Sequence, residues 1–514
     1  MYFANVGDYF KITALKYKNK KAIIHNNISI SFDNLEKNSN RIVKFLIKKG
    51  LRINDNICIK SKKNLDIFAL IIACTKIGIS YTFLDRKSPT KRLSKIIKVV
   101  KPKLIIYDEP SNLSNSKFPR LNLNYLKKNI NKENEFLEKN LFTKPNGNTI
   151  AYVMFTSGST GEPKGVAISH DQLINFMLWA KEYFNINKNS KSTNLNALYF
   201  DNSIFDVFGS LYNGSSIYSF DRNELLEGKN LINIIKKNKV NIWFSVPSLI
   251  VYYLSLKIIN KKNLSNLKQI IFGGEGFPKN SLKSLYSIKK KNNKLINVYG
   301  PTECTCICTA NEINETDFSR LELKKLAPLG RSLIKNFSFK IVDENLKPVK
   351  IGSTGELLIG GPNVSKGYFN NLIETNKKFI QNPEHNDYSD FMYLSGDLVK
   401  IDKNNKQIYF VSRKDRQIKH MGHRIELDEI ENALNKLPYV VSNITCYGKK
   451  NGIFNIVSWV LPKKKISEPK IRFLLKKIIP NYMIPKQIFL VKNLPKNSNG
   501  KLNRLKIKHD YFDR

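Results

Sequence analysis

No run in this sequence approaches the ~18 uninterrupted apolar residues that a bilayer-spanning helix requires, so no membrane insertion is expected. The first residues, Met1 to Asp8, lack a basic segment followed by a long apolar stretch. No signal peptide is therefore expected, and a cytoplasmic location is the expectation. Acidic residues are scarce: 42 Asp and Glu stand against 86 Lys and Arg, a formal charge of +44. Such an excess can mark a nucleic-acid or anionic-membrane partner. Here the lysines are spread over the whole chain among many Asn and Ile. The densest clusters, Lys289–Lys291 and Lys463–Lys465, are short and carry no interleaved aromatics on which bases could stack. No nucleic-acid partner is expected. Cysteines number six (Cys58, Cys74, Cys304, Cys306, Cys308 and Cys446), and without a secretory signal they read as reduced thiols. The alternating Cys304, Cys306 and Cys308 would share one face of a strand and pack there. A metal site is the alternative, but no His lies nearby to complete a ligand set. Internal repeats of 20–50 residues and coiled-coil heptads are also missing, which excludes a solenoid.

What is present is length and alternation. A chain of 514 residues with 41% hydrophobic content exceeds the ~250–300 residues at which single cores stop growing, so at least two domains are expected. Over residues 1–145, amphipathic stretches (Asn34–Lys49, Leu65–Ile77) alternate with short β-branched runs (Asn56–Lys60, Lys103–Tyr107), the pattern of a layered α/β fold with a parallel sheet. The Lys- and Asn-rich segment Phe118–Asn148 reads as a connection to a strand at Thr149–Phe155, and the alternation continues to about Gly330. Beyond it, Phe337–Val342, Gly355–Ile359 and Gln407–Val411 read as strands of a small antiparallel subdomain. After Arg413 follow a helix (Glu426–Leu437), two strands (Val440–Tyr447, Phe454–Leu461), a helix (Glu468–Ile479) and a terminal loop, a separate small α+β domain.

The strongest local signal is Thr156-Ser157-Gly158-Ser159-Thr160-Gly161-Glu162-Pro163-Lys164-Gly165, directly after the Thr149–Phe155 strand. Three glycines permit close backbone approach, successive N–H groups can cradle an anion, four hydroxyls add donors, and Lys164 adds a point charge. It is not a Walker loop, because Pro163 stands where that motif requires a glycine. A flexible Ser/Gly loop would explain the small residues but neither the lysine nor the placement after a buried strand.

Residues Tyr152–Gly165 resemble the nucleotide-binding signature of the adenylate-forming superfamily: acyl-CoA synthetases, luciferases and nonribosomal-peptide adenylation domains. Further motifs follow in that family's order: Asn297–Glu303, Gly355–Gly361, Tyr393–Asp397, Ser412–Lys419 with Gly422–Leu427, and Leu494–Lys501. Within the superfamily the chain resembles the amino-acid-activating branch of ligases. Asn241–Ser248, Phe272–Glu275 and Pro480–Pro485 are most similar to stand-alone D-alanine–carrier protein ligases. The resemblance implies a large N-terminal AMP-binding domain (residues 1–413), a hinge at 414–415 centred on Asp415, and a small mobile lid domain (416–514). It also implies ATP and Mg²⁺. Thr156, Ser157, Gly158, Ser159, Thr160, Gly161 and Lys164 would hold the β- and γ-phosphates, and Thr302 the α-phosphate. Glu303 would help hold Mg²⁺, a hard cation suited to carboxylate, phosphate and water oxygens. Tyr299, beside Gly300, would lie against adenine, whose edge would meet Asn297 and the Gly274–Glu275 backbone. Asp397 would accept from both ribose hydroxyls, with Arg413 near ribose and phosphate. Lys501 would reach the substrate carboxylate and α-phosphate as the catalytic cation, a task suited to a compact charge on a flexible stem.

By the same resemblance, Asp201 in Phe200-Asp201-Asn202-Ser203 would pair with a substrate ammonium, the cation that a desolvated carboxylate needs. A helix N-cap is the other reading of that aspartate. The remaining pocket positions would be Asn202, Phe205, Phe244, Ile271, Gly273, Val298, Cys306 and Ile307. These imply a small or medium uncharged side chain and leave D or L open. Rotation at the hinge would withdraw Lys501 and bring the Lys419–Gly422 loop to the path of a phosphopantetheine thiol. Thirteen residues follow Lys501, so the carrier protein is expected in trans. Two departures stand out: Ser412 replaces the usual glycine before Arg413, and His420-Met421 precedes the loop glycine. The rival expectations are an acyl- or aryl-CoA ligase, against which Asp201 argues, and a non-catalytic relative, against which the presence of Glu303, Asp397 and Lys501 argues.

Overall fold

The segment Asn56–Lys60 carries Ile57, Cys58 and Ile59 fully buried; a strand apolar on both faces belongs inside a parallel sheet. In the computed structural model, which describes residues 3–109, 117–138, 141–158, 162–318, 326–330, 337–450, 453–497 and 502–512, it lies in a six-stranded sheet. The order is Arg120–Asn122, Leu104–Tyr107, Asn56–Lys60, Ser80–Phe83, Ile150–Thr156 and Lys164–Ser169, parallel except for the last strand. An eight-stranded sheet runs Thr309–Glu312, Lys294–Tyr299, Gln269–Gly273, Ile242–Ser245, Lys191–Asn194, Ser216–Ser219, Lys21–His25 and Ile28–Ser31, parallel but for its two edges. The helix Leu65–Ile77 is buried on all sides from Ile67 onward. Asn64 caps its start by accepting from the Ile67 N–H, and Gly78 ends it at φ 68°, a left-handed conformation favouring glycine. Each such Ile, Leu or Phe side chain taken from water contributes about 1.5–3 kcal/mol.

Strands Ser338–Val342, Gly355–Gly360, Phe379–Gln381, Phe391–Ile401 and Ile408–Arg413 form the antiparallel subdomain. The small domain holds the hairpin Gln417–His420/His423–Glu426 and a sheet of Val440–Lys450, Ile453–Pro462 and Gln487–Leu490, packed by Leu427–Asn435 and Glu468–Lys476. The expected α/β class, with an antiparallel subdomain and a small α+β C-terminal domain, is what the chain forms. Among the described residues, no helix is long and apolar enough to cross a membrane.

Three expectations are corrected. The connection expected at Phe118–Asn148 contains the strand Arg120–Asn122 and the helix Leu123–Ile130. Leu123, Leu126 and Ile130 recur at helical spacing and are buried, while the Lys and Asn between them face outward. The C-terminal loop contains the strand Gln487–Leu490 and the helix Arg504–Phe512, anchored by buried Ile507 and Phe512. The Cys304–Cys308 run is not a strand. Thr302–Cys304 form a 3₁₀ turn, and Thr305 and Cys306 take positive φ (56° and 76°), which breaks any alternation; the thiols are buried all the same.

One buried histidine sets an acid limit on stability. His170 opens the helix His170–Tyr183 with Nδ1 accepting from the Val6 N–H at 3.1 Å, and burial pushes its pKa down to about 4. The unfolded chain titrates near 6.5. Between those values the unfolded state binds the extra proton, so this contribution is whole above the upper value and lost as pH falls toward the lower one, by up to about 3 kcal/mol. His170→Asn keeps an acceptor near Nδ1 without the titration. It is expected to flatten the fall in thermal midpoint between pH 6.5 and 4.5; equal slopes in variant and wild type would refute this.

Candidate active site

A cleft opens where the small-domain hairpin meets the ends of both parallel sheets, the position at which α/β sheets bind ligands. The strand Ile150–Thr156 delivers Thr156 and Ser157 to it, and Lys294–Tyr299 runs out into Gly300, Pro301 and Thr302. Asp397 comes from Phe391–Ile401, Arg413 from Ile408–Arg413, and Asp201 from the loop before the short helical turn Asn202–Ile204.

Asp201 stands at the N-cap position of that turn, but its side chain makes no capping bond there. The Thr302 hydroxyl donates to its Oδ2 at 2.5 Å, and burial raises its pKa against that hydrogen bond and the Lys419 charge. Tyr299 donates to Asp397 Oδ2 at 2.6 Å, and Arg413 Nη1 donates to Asp397 Oδ1 at 2.8 Å. Arg413 also holds Asp415, which is thereby fastened to the same network. Burial would raise the Asp415 carboxyl, yet the Arg413 guanidinium holds it below the usual range.

Glu303 has 0% exposed surface and is fully paired. Arg424 donates to its two oxygens at 3.0 and 2.7 Å, and the Tyr368 hydroxyl donates at 2.8 Å. Burial works to raise this carboxyl, but Arg424 and Tyr368 keep it below the ordinary carboxylate value. Lys419 enters from the same hairpin, its ammonium 5.4 Å from the Tyr299 ring centre. Burial lowers its pKa, offset by the carboxylates of Asp397 and Asp201. Hairpin and large domain are joined further by Ser157 Oγ donating to the Arg424 carbonyl (2.8 Å) and by the Gly422 N–H donating to Glu275 Oε2 (3.2 Å). His423 stacks on Tyr482 (3.6 Å between centres) with Phe200 edge-on at 4.7 Å, and a buried ion pair joins Arg92 to Glu429.

The cleft thus gathers Thr156, Ser157, Asp201, Thr302, Asp397 and Arg413. Lys164 lies beside it, paired with Glu374 at 2.5 Å, and Asn297 is buried with its amide donating to the Pro328 carbonyl. Ser159, Thr160, Gly161 and Lys501 lie outside the described residues. Among the pocket positions Asn202 reaches the cleft, whereas Phe205, Phe244, Ile271, Gly273, Val298, Cys306 and Ile307 are packed behind it. Sequence reasoning passed over Arg424, Arg92 and Tyr482. Arg424 stands inside a quoted motif, but its partner Glu303 is 121 residues away, and no local spacing reveals such a pair. It also passed over the fully buried Asp206, whose Oδ2 accepts from Asn194 and Asn196 at 2.9 and 3.1 Å.

The family model described as AMP-binding enzyme matches residues 10–369, and that described as AMP-binding enzyme C-terminal domain matches 429–501. Bacitracin synthase 1 of Bacillus licheniformis is 30% identical over 505 residues, 96% of this chain but 9% of that protein. The chain therefore spans about a tenth of that relative's length. Among solved structures, the Vibrio cholerae adenylation domain AlmE in complex with glycyl-adenosine-5'-phosphate superposes with a TM-score of 0.84 at 20% identity, covering 99% of this chain and 98% of that one. The o-succinylbenzoate CoA synthetase of Bacillus subtilis gives a TM-score of 0.84 at 19% identity, covering 100% and 99%.

Proposed function

Because the chain belongs to the AMP-binding enzyme family and is an adenylate-forming enzyme, we propose that it activates a small amino acid as its aminoacyl-adenylate and passes the acyl group to the phosphopantetheine thiol of a carrier protein. The observation that carries this reading is Asp201: a carboxylate at the cleft whose side chain makes no capping bond, with the Thr302 hydroxyl on one oxygen. A substrate ammonium would complete its pairing, and an acid without an amine would leave it short of a cation.

In the first step the amino-acid carboxylate attacks the α-phosphorus of ATP and pyrophosphate leaves, a displacement that asks mainly for positioning and charge neutralisation. Thr156, Ser157 and Lys164 would bind the departing phosphates, Thr302 the α-phosphate, and Asp397 and Arg413 the ribose side. Lys501 would stabilise the charge growing on the reacting oxygens. Glu303 offers the hard oxygens that Mg²⁺ takes, and that ion, when bound, neutralises phosphate charge. With the hairpin docked, both Glu303 oxygens are already paired, so the carboxylate can serve a cation only after Arg424 withdraws. The docked arrangement therefore suits the second step. There a thiol attacks the acyl carbon, the bond to AMP breaks, and the thiol proton is lost as AMP departs. Lys419 and Arg424 are the cations the hairpin then supplies.

The test is amino-acid-dependent ATP–pyrophosphate exchange, run with aliphatic and aryl acids alongside. Asp201→Asn is expected to lower the amino-acid signal by about 10²–10³-fold, the size of effect that follows from removing one partner of a desolvated ion pair. Exchange supported only by acids lacking an amine would overturn the reading in favour of a CoA ligase.

A further inference from the structure

In this fold a substrate side chain would have to enter behind Asp201, toward Phe205, Phe244, Ile271, Val298, Cys306 and Ile307. Among the described residues, the cleft is lined on that side by Asp201, Asn202, Gly274 and Gly300, and none of those six side chains lines it. The residues behind are packed to near-zero exposure: Phe205, Phe244, Ile271 and Ile307 show 1% or less. Phe205 and Phe244 meet edge to face at 5.0 Å, and Phe184 closes on Phe205 from the other side, also at 5.0 Å.

Glycines beside a pocket ordinarily leave room for a ligand. Here each vacancy is filled from within the protein. A Cβ on Gly273 would stand 2.5 Å from Val298 Cγ2, one on Gly274 would stand 3.0 Å from the Asn202 amide nitrogen, and one on Gly300 would stand 2.3 Å from the Cys306 carbonyl oxygen. Interiors packed this closely accommodate an added methylene only by forcing side chains off their rotamers. The anchor for an ammonium is at the cleft, but the side chains that would frame a compartment beyond it are packed against one another.

We infer that the amino acid activated is glycine, the one that brings an ammonium and a carboxylate with no side chain. The inference rests on the proposed amino-acid activation and sharpens it, and it removes the choice between D and L forms. Specificity then comes from exclusion: Phe205, Phe244 and Val298 reject larger amino acids by occupying the space their side chains would need.

Two measurements on the full chain test it. In ATP–pyrophosphate exchange, glycine is expected to exceed both D- and L-alanine in kcat/KM by about tenfold or more, the discrimination typical of one methyl group against a packed wall. L-leucine and L-phenylalanine are expected at background. In calorimetry, the non-hydrolysable glycyl-sulfamoyl adenosine is expected to bind and the leucyl analogue not to, a readout independent of turnover. Phe244→Ala should open the compartment, lowering glycine's advantage and admitting valine or leucine; if that variant does not fold, the wild-type calorimetry still decides. Preference for a larger amino acid, or tighter binding of the leucyl analogue, would overturn the inference while leaving amino-acid activation standing. Exchange confined to acids without an amine would instead remove the reading beneath it.

Discussion

Lys419→Met is expected to leave ATP–pyrophosphate exchange little changed while lowering thioester formation by about 10²–10³-fold, the loss typical when one preorganised charge is removed from a water-poor site. Lys501→Ala is expected to do the reverse, abolishing exchange while sparing transfer from chemically supplied aminoacyl-adenylate. The asymmetry follows from where the two lysines sit. Lys419 is on the hairpin strand Gln417–His420, its ammonium over the Tyr299 ring and its desolvation offset by Asp397 and Asp201. On the proposed assignments a cation held there would stand beside the nucleotide when AMP must leave. It is there only while the hairpin is docked through Arg424, Ser157 and Glu275. In the proposed reading adenylation uses another orientation, in which the resemblance places Lys501 at the reacting carboxylate. Methionine preserves the volume Lys419 fills, so a loss confined to the second step reports charge and not packing. Separate single-turnover assays of the two half-reactions decide it; equal losses in both would defeat the division of labour.

Much of this was legible from residues alone, for physical reasons that differ by element. Strands such as Asn56–Lys60 and the helix Leu65–Ile77 fall at their expected bounds, because apolar runs closed by Asn64 and Gly78 leave little choice of start and stop. The helix Leu123–Ile130 escaped because its three buried apolar residues are outnumbered by Lys and Asn on the wet face. The three cysteines alternate as strand residues do, but positive φ at Thr305 and Cys306 bends the chain into a turn. Among site residues, Thr156 at a strand end, Thr302 just beyond one and Asp397 within Phe391–Ile401 line the cleft. The blocks similar to D-alanine–carrier protein ligases do not single out that substrate, since Ile242–Ser245 and Gln269–Gly273 are buried core strands whose composition answers to packing. The packing behind Asp201 could not be read from a list of pocket residues either. Two phenylalanines are compatible with a roomy aromatic wall or a plug, and a list of residues does not say how they pack against each other and Phe184.

Arg424→Gln is expected to weaken the docked orientation and slow thioester formation by about 10²–10³-fold, since removing one partner of a buried ion pair costs about 3–5 kcal/mol. Glu303 has no surface through which water could replace the lost guanidinium, and the Tyr368 hydroxyl brings no charge. The orientation that exposes Glu303 to another cation is then favoured, and adenylation is expected to persist. Glu303→Gln should strike both steps: it weakens the seat for Mg²⁺ in the first and the dock for Arg424 in the second. A donor–acceptor dye pair, one on each domain, reads orientation directly and separately from turnover. Added Mg²⁺ and ATP should shift the wild type away from the docked distance, and Arg424→Gln should start from the shifted value. A docked distance unchanged in Arg424→Gln would mean that the Arg92–Glu429 pair and the His423 stack hold the hairpin without it. The exchange of one cation for another on Glu303 would then not be what turns the small domain.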